Sequence, residues 1–375
     1  MFQPARPLTS LRQHRPRRPQ ISRRDFMRQT AAGILGVAAA GCGYQSLTAL
    51  VPGVAVPFLT PTDRHYMKNG AEGSIAGWRQ PRIDPESWRL TIDGLVDRPL
   101  TISLAELGPP RMAILKTLQC VVDSNSAEGL VGTGLWGGVP LYELLDRAGL
   151  QPETQRLRFF GADGFTNNLP LDRLRGGPEL PPVLLVTHMN GEPLPAEHGA
   201  PVRLLVPDGF GYASIKWLTR IEATADTSPF GTYQDTGFTN ESRTPISSRI
   251  TAPLDNLRMP AGVVTVHGVA TSGFTGVDRV EVAVGDGPWL DANLATEAQL
   301  LSTYPELSEA EQFKGGYSFP FTGVWVPWSF AFDAAPGRYT IRVRAVDRFG
   351  QSQPERDTTI ADGITAWPSV RVEVA

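Results

Sequence analysis

The sequence predicts an α+β protein with two folded units in series, a mixed α/β domain followed by a β-sandwich of immunoglobulin type. Two observations carry this. Between about residues 84 and 222, strand-like segments are interleaved with an amphipathic helix that has a start and a stop signal. From Pro245 onward the texture changes to short alternating strands separated by turn signals such as Pro336-Gly337 and Phe349-Gly350, the pattern of a sandwich.

The elements follow in order. Residues 1–42 read as a leader, 43–80 as an extended arm, 81–225 as the first domain, 226–244 as a polar linker and 245–375 as the second domain. In the leader, Ser22-Arg23-Arg24-Asp25-Phe26-Met27-Arg28 precedes a short, weakly apolar run at 31–40. This is the form read by the twin-arginine export machinery. That machinery moves folded proteins, and its usual cargo carries a cofactor. The expectation is a periplasmic protein with a complex cofactor. Cys42, after Ala39-Ala40-Gly41, resembles a lipoprotein cleavage site, so a membrane tether through the leader or Cys42 fits the same reading. No apolar run approaches the ~20 residues of a membrane span.

In the first domain, residues 88–96 alternate as a strand that runs into a turn. Leu141, Leu144, Leu145 and Ala148 share one helical face, with Pro140 before and Gly149 after. Residues 202–206 and 216–221 are apolar enough for buried strands. In the second domain, residues 263–269, 277–284, 325–332, 339–346 and 370–374 alternate. The sandwich has no Cys pair, which excludes an antibody-type domain.

Charge separates leader from body. Residues 1–28 hold eight Arg and one acid, or +7, which leaves −10 for the rest of a chain of net charge −3. An acidic body gives no case for nucleic acid. Two cysteines exclude a C-x-x-C-H haem attachment, a four-Cys iron–sulfur set and a Cys-rich zinc site. The five His, at 14, 65, 188, 198 and 267, include no i, i+4 pair.

Three segments carry candidate chemistry. Cys120 ends the apolar stretch Lys116-Thr117-Leu118-Gln119-Cys120 and precedes the polar run 123–126. It reads as a small buried hydrophobe, a nucleophile, or a soft thiolate ligand for a metal centre. The Gly-rich segment 132–145, around Trp136, either admits a ligand against its backbone or forms a tight loop and a capped helix. Residues 189–217 place His198, Arg203 and Lys216 among Gly and Pro. These are either ordinary surface charges or a set for a phosphate.

In this order the three segments resemble the sulfite oxidase family of molybdopterin enzymes. The resemblance covers roughly residues 58 to 375. It runs from Tyr66-Met67-Lys68-Asn69 and Leu118-Gln119-Cys120 through the Trp136 and Met189-Asn190-Gly191 elements. It ends at Ser214-Ile215-Lys216-Trp217 and the segment that opens at Pro245. The resemblance implies the mixed α/β fold of that family at the first domain and a sandwich that dimerises family members. It implies molybdopterin as cofactor, with Cys120 as the molybdenum ligand. Tyr66, Lys68, Asn69, His198, Arg203, Tyr212, Ser214 and Lys216 would hold the pterin and its phosphate.

The chain also departs from the sulfite oxidases proper, which follow the ligand Cys with A-G-N-x-R. Here Val121-Val122-Asp123-Ser124-Asn125-Ser126 offers no cation. The tyrosine expected near the metal is Thr187, followed by His188. The expected catalytic set is therefore Cys120, Asp123, Asn125, Thr187 and His188. Such a pocket suits a neutral or zwitterionic substrate better than a dianion. The expected function is a mononuclear molybdenum oxidoreductase that transfers an oxygen atom to or from a small molecule. Its expected partners are a separate electron carrier, a cytochrome or quinone-linked protein, and a second copy of itself. The alternatives are an exported S- or N-oxide reductase, akin to a methionine sulfoxide reductase, and an inactive binding or adhesion protein.

Overall fold

The computed structural model describes residues 57–70, 72, 77–123, 129–357, 359 and 361–375. The leader with its Arg pair, Cys42 and Asn125 lie outside the described residues. Among these residues the chain is mostly β. Its α-helices are Leu104–Leu107, Leu141–Ala148 and Glu297–Thr303. The first unit is therefore poorer in helix than a mixed α/β reading implies.

Two five-stranded sheets build that unit. One runs in the order Leu100–Ser103, Arg89–Gly94, Leu218–Thr224, Arg156–Gly161, Thr166–Pro170. Its two central neighbours, Arg89–Gly94 and Leu218–Thr224, are parallel, with Thr91 opposite Arg220. The other runs Met112–Gln119, Val131–Pro140, Leu184–Met189, Glu192–Pro193, with Arg203–Leu205 paired to Leu184–Met189. The helix Leu141–Ala148 buries the predicted face, Leu141, Leu144, Leu145 and Ala148. It stops at Gly149, whose φ of +73 closes the last turn onto Leu145 O; side chains disfavour that backbone region.

The segment 131–140 does not alternate, because every residue in it is buried. A strand covered on both faces loses the period-two signal. Its glycines are packing devices: a Cβ on Gly134 would lie 3.0 Å from the Trp136 ring, and one on Gly138 would meet the backbone of Leu185 and Val186. The capped-core reading of the Gly-rich segment is the one that holds, with Trp136 fully buried.

The second unit has two sheets. One contains Ser247–Ala252, Gly262–Thr271, Val326–Ala334 and Asn293–Leu294. The other contains Leu257–Met259, Ser369–Val374, Gly337–Asp347, Val277–Val284 and Leu290–Asp291. Val264, Val266 and Trp328 of the first sheet share one core with Val280, Val282, Ile341 and Val343 of the second. The predicted alternation is present in these strands. The helix Glu297–Thr303 was not expected; a reciprocal Thr296–Gln299 capping box starts it.

The stretch that follows this helix joins the two units. Gln312 Oε1 accepts from Leu115 N at 3.0 Å, and its Nε2 donates to Leu115 O at 2.8 Å. Leu300, Leu307 and Phe321 share a core with Phe58, Leu115 and Leu135. The polar stretch 226–244 also packs onto the first unit. Tyr233 and Phe238 belong to that unit's core, and Gln234 and Ser242 are buried.

Candidate cofactor-binding site

The strand Met112–Gln119 delivers Cys120 to the floor of a cleft. Cys120 N donates to Leu130 O at 2.9 Å, and Cys120 O accepts from Asp123 N at 3.0 Å. The thiol is buried and free. Burial pushes its pKa up to about 11. A thiol held this way binds a metal with loss of its proton.

Nine residues named from the sequence line this cleft together: Tyr66, Lys68, Asn69, Cys120, His198, Arg203, Tyr212, Ser214 and Lys216. Four separate segments supply them. The arm residues 65–69 lie across the sheet, anchored by His65, whose Nε2 is 3.1 Å from Gly132 O. Arg203 opens a short strand in the sheet that leads to Cys120. Tyr212 sits in a 3-10 turn, Gly211–Ala213, and Ser214 and Lys216 follow it.

Arg203 and Lys216 decide what the cleft can hold. Arg203 Nη1 donates to His198 O at 3.1 Å and Nη2 to Ser214 O at 2.9 Å. Its buried Nε has no partner. Lys216 Nζ donates to Asn69 Oδ1 at 3.0 Å and to Glu197 O at 2.7 Å. Among the described residues neither cation is ion-paired to a carboxylate. Burial lowers Arg203 to about 10 and Lys216 to about 7. It also lowers His65 to about 4 and His198 to about 3, so both imidazoles are neutral at pH 7. A buried Arg203 beside a part-buried Lys216 is costly unless an anion joins them. A phosphate meets the Arg fork and the ammonium together. Ser214 Oγ accepts from Val206 N at 3.0 Å, which leaves its O–H to donate.

Cys120 is in the same cleft. Among the described residues no group of three or more His, Cys, Asp or Glu could hold a metal. A metal bound at Cys120 therefore takes its remaining ligands from a cofactor. One soft thiol and two cations without an ion-paired carboxylate, lining one cleft, fit a phosphate-bearing metal–pterin group.

The sequence reading missed His65, Asp163, Phe165, Trp217 and Tyr233, which also line the cleft. Tyr233 stacks on Tyr212 with ring centroids 4.8 Å apart. Its signal was an aromatic residue inside a stretch otherwise polar enough to pass for a linker. Burial raises Tyr66 and Tyr233 well above the ordinary phenol value, and the nearby Cys120 adds to the rise. Their O–H groups stay protonated.

Three members of the expected catalytic set do not join the cleft lining. Thr187 and His188 lie on Leu184–Met189, where the Thr187 hydroxyl sits 2.9 Å from His188 Nδ1. Neither lines the cleft. Asp123 is buried beneath the turn that follows Cys120. It accepts from Leu130 N at 2.8 Å and is ion-paired with Arg249 of the second unit. An ion-paired Asp123 does not present an open negative charge to a substrate. The repulsion expected from it is cancelled by a cation 126 positions away in sequence.

The fold and the cleft define a cofactor-binding redox domain of the molybdopterin type, and the comparisons with known proteins agree. Residues 77–231 match the oxidoreductase molybdopterin binding domain. Sulfite oxidase of Gallus gallus is 33% identical over 281 residues, covering 64% of this chain and 60% of that protein. Mitochondrial sulfite oxidase of Homo sapiens is 32% identical over 260 residues, covering 58% and 47%. The crystal structure of the sulfane dehydrogenase SoxCD from Paracoccus pantotrophus superposes with a TM-score of 0.63 at 20% identity. It covers 88% of this chain and 92% of that one, a likeness of fold. The chain spans about half the length of the mammalian relatives it matches. Residues 77–231 are thus an oxidoreductase molybdopterin binding domain, in a chain similar to the sulfite oxidases.

Proposed function

We propose that the chain is an exported, periplasmic molybdenum oxidoreductase acting on a small molecule. The observation that carries this is the free Cys120 thiol sharing a cleft with the buried Arg203 and the part-buried Lys216, which among the described residues are not ion-paired to a carboxylate. Cys120 would hold a molybdenum cofactor there, which would supply two-electron oxygen-atom transfer. Arg203, Lys216 and the Ser214 hydroxyl would hold its phosphate. Lys68 and Asn69 approach from the arm. Tyr66 and Tyr233 line the cleft with Cys120 and keep their phenolic protons, so each can donate to an oxygen carried by substrate or product.

Those phenols also favour a second reading of direction. Tyr66, Tyr212, Tyr233 and Phe165 give the cleft an aromatic wall. Such a wall suits a neutral S- or N-oxide, which would make the enzyme a reductase. The leader fits export. The second unit is read as an immunoglobulin-like module that pairs two copies of the chain. Electrons would pass to or from a separate carrier.

The test is direct. Protein purified after export is assayed for molybdenum and pterin, then screened with a redox dye against sulfite, sulfoxides and N-oxides. One molybdenum and one pterin per chain, with turnover of one of these classes, is expected. Folded, exported protein without either component would refute the reading.

A further inference from the structure

The ligand turn is tied to the second unit by a buried ion pair that the sequence motif does not contain. Asp123 N donates to Cys120 O at 3.0 Å and closes the turn. Asp123 Oδ1 accepts from Leu130 N at 2.8 Å, and Leu130 O in turn accepts from Cys120 N at 2.9 Å. Asp123 thus bears on both sides of the Cys120 backbone, directly through its own N–H and through its carboxylate by way of Leu130. Its Oδ2 accepts from Gln119 Nε2 at 3.3 Å and from Arg249 Nη2.

Arg249 comes from Ser247–Ala252, a strand of the second unit paired to Gly262–Thr271 with Arg249 opposite Val269. Its side chain is 5% exposed and that of Asp123 is 1%. Ser247 on the same strand donates to Gln119 Oε1 at 3.4 Å. The two residues flanking the turn on the cleft floor, Gln119 and Asp123, are therefore both held by one strand of the second unit. Gly129 lies over the pair. A side chain there would collide with the Arg249 guanidinium and the Asp123 carboxylate. The space is closed around this ion pair.

We infer that Arg249 is a positioning residue for the Cys120 ligand. Acting through Asp123, it fixes the direction of the thiol, and the second unit thereby sets the geometry of the metal site. A buried carboxylate that loses its partner must find water or another donor. The nearest change that allows this is opening of the turn 120–123. The second unit then has a role at the cofactor that is independent of pairing two chains. This inference rests on the proposal that Cys120 is the metal ligand.

The experiment uses the full chain in a Cys42→Ser background, where Cys120 is the single thiol. The variants are Arg249→Met, which leaves the buried carboxylate without its cation, and Asp123→Asn with Arg249→Met, which removes both charges. Labelling of cofactor-free protein by a maleimide reads thiol exposure, whether or not Cys120 binds metal. The Mo(V) electron paramagnetic resonance signal of loaded protein reads ligand geometry. In Arg249→Met, labelling is expected to be at least tenfold faster and the signal shifted or split. In the double variant both are expected to return toward the parent. Parent-like labelling and signal in a folded Arg249→Met protein would overturn the inference. So would equal perturbation in the single and double variants, which would show that the side-chain packing matters and the ion pair does not. A parent protein that loads molybdenum unchanged as Cys120→Ser would instead remove the ligand assignment itself.

Discussion

Replacing Arg203 by Met should destabilise the loaded form more than the cofactor-free form. In the free form the guanidinium is 3% exposed, and burial lowers it from 12.5 to about 10. At ~1.36 kcal/mol per pH unit, this is roughly 3 kcal/mol of desolvation that no partner returns. Met removes that cost and keeps an apolar contact with Trp136, over whose ring the guanidinium lies at 5.0 Å. It also loses the bonds to His198 O and Ser214 O, each worth ~1.5–3 kcal/mol because the donor is charged. The free form is therefore expected to change between nearly zero and a loss of about 3 kcal/mol. In the loaded form the charge-assisted bond to phosphate also disappears. That costs a further ~1.5–3 kcal/mol, so the cofactor should be held ~10- to 150-fold more weakly. Thermal unfolding of both forms, with molybdenum content by mass spectrometry, checks the difference. Full molybdenum occupancy together with equal destabilisation of both forms would refute the reasoning, because Arg203 would then act only as a structural donor.

Cys120→Ser preserves volume but replaces a soft thiolate with a hydroxyl; the variant is expected to fold with the parent's circular dichroism and show no turnover with any redox-dye substrate. Lys216 predicts a pH dependence. Burial lowers its folded pKa to about 7 from 10.5, so the unfolded chain binds the extra proton between those values. Stability of the cofactor-free protein should therefore rise as pH increases from 7 toward 10.5. Lys116, buried and likewise lowered to about 7, adds to the same rise. Lys216→Met should remove only part of it, and cofactor loading should also flatten it, as thermal unfolding across this range would show. Changing Arg23 and Arg24 together to Lys should leave the protein in the cytoplasm, as fractionation and blotting would report.

Local patterns carried much of the site into the sequence. Leu118-Gln119-Cys120, Tyr66-Met67-Lys68-Asn69 and Ser214-Ile215-Lys216 are short, and a few adjacent side chains decide each. All of their residues except Met67 and Gln119 line one cleft. The helix at 141–148 was legible because a 3.6-residue apolar period and a Gly stop are local. Strands of the second unit such as Val326–Ala334 and Gly337–Asp347 were legible because over much of their length one face meets a core and the other is more open. Where both faces are covered, as at 131–140, alternation vanished and a fully buried strand resembled a glycine-rich loop.

The tertiary structure decided which side chains face which. Thr187 and His188 share a strand with core residues, and no sequence spacing told that they stand outside the cleft. Tyr233 and Phe238 reached the core because the polar stretch around them folds back onto the first unit. The charge beside the ligand was decided by Arg249, which meets Asp123 across 126 positions only when the second unit packs on the first. The sequence determined which donors and cations the chain possesses, since residue type and local period are properties of neighbours along the chain. Which charges cancel and which stay open for a cofactor was decided by burial and long-range pairing, because desolvation and Coulomb energies depend on distances that only the packed structure sets.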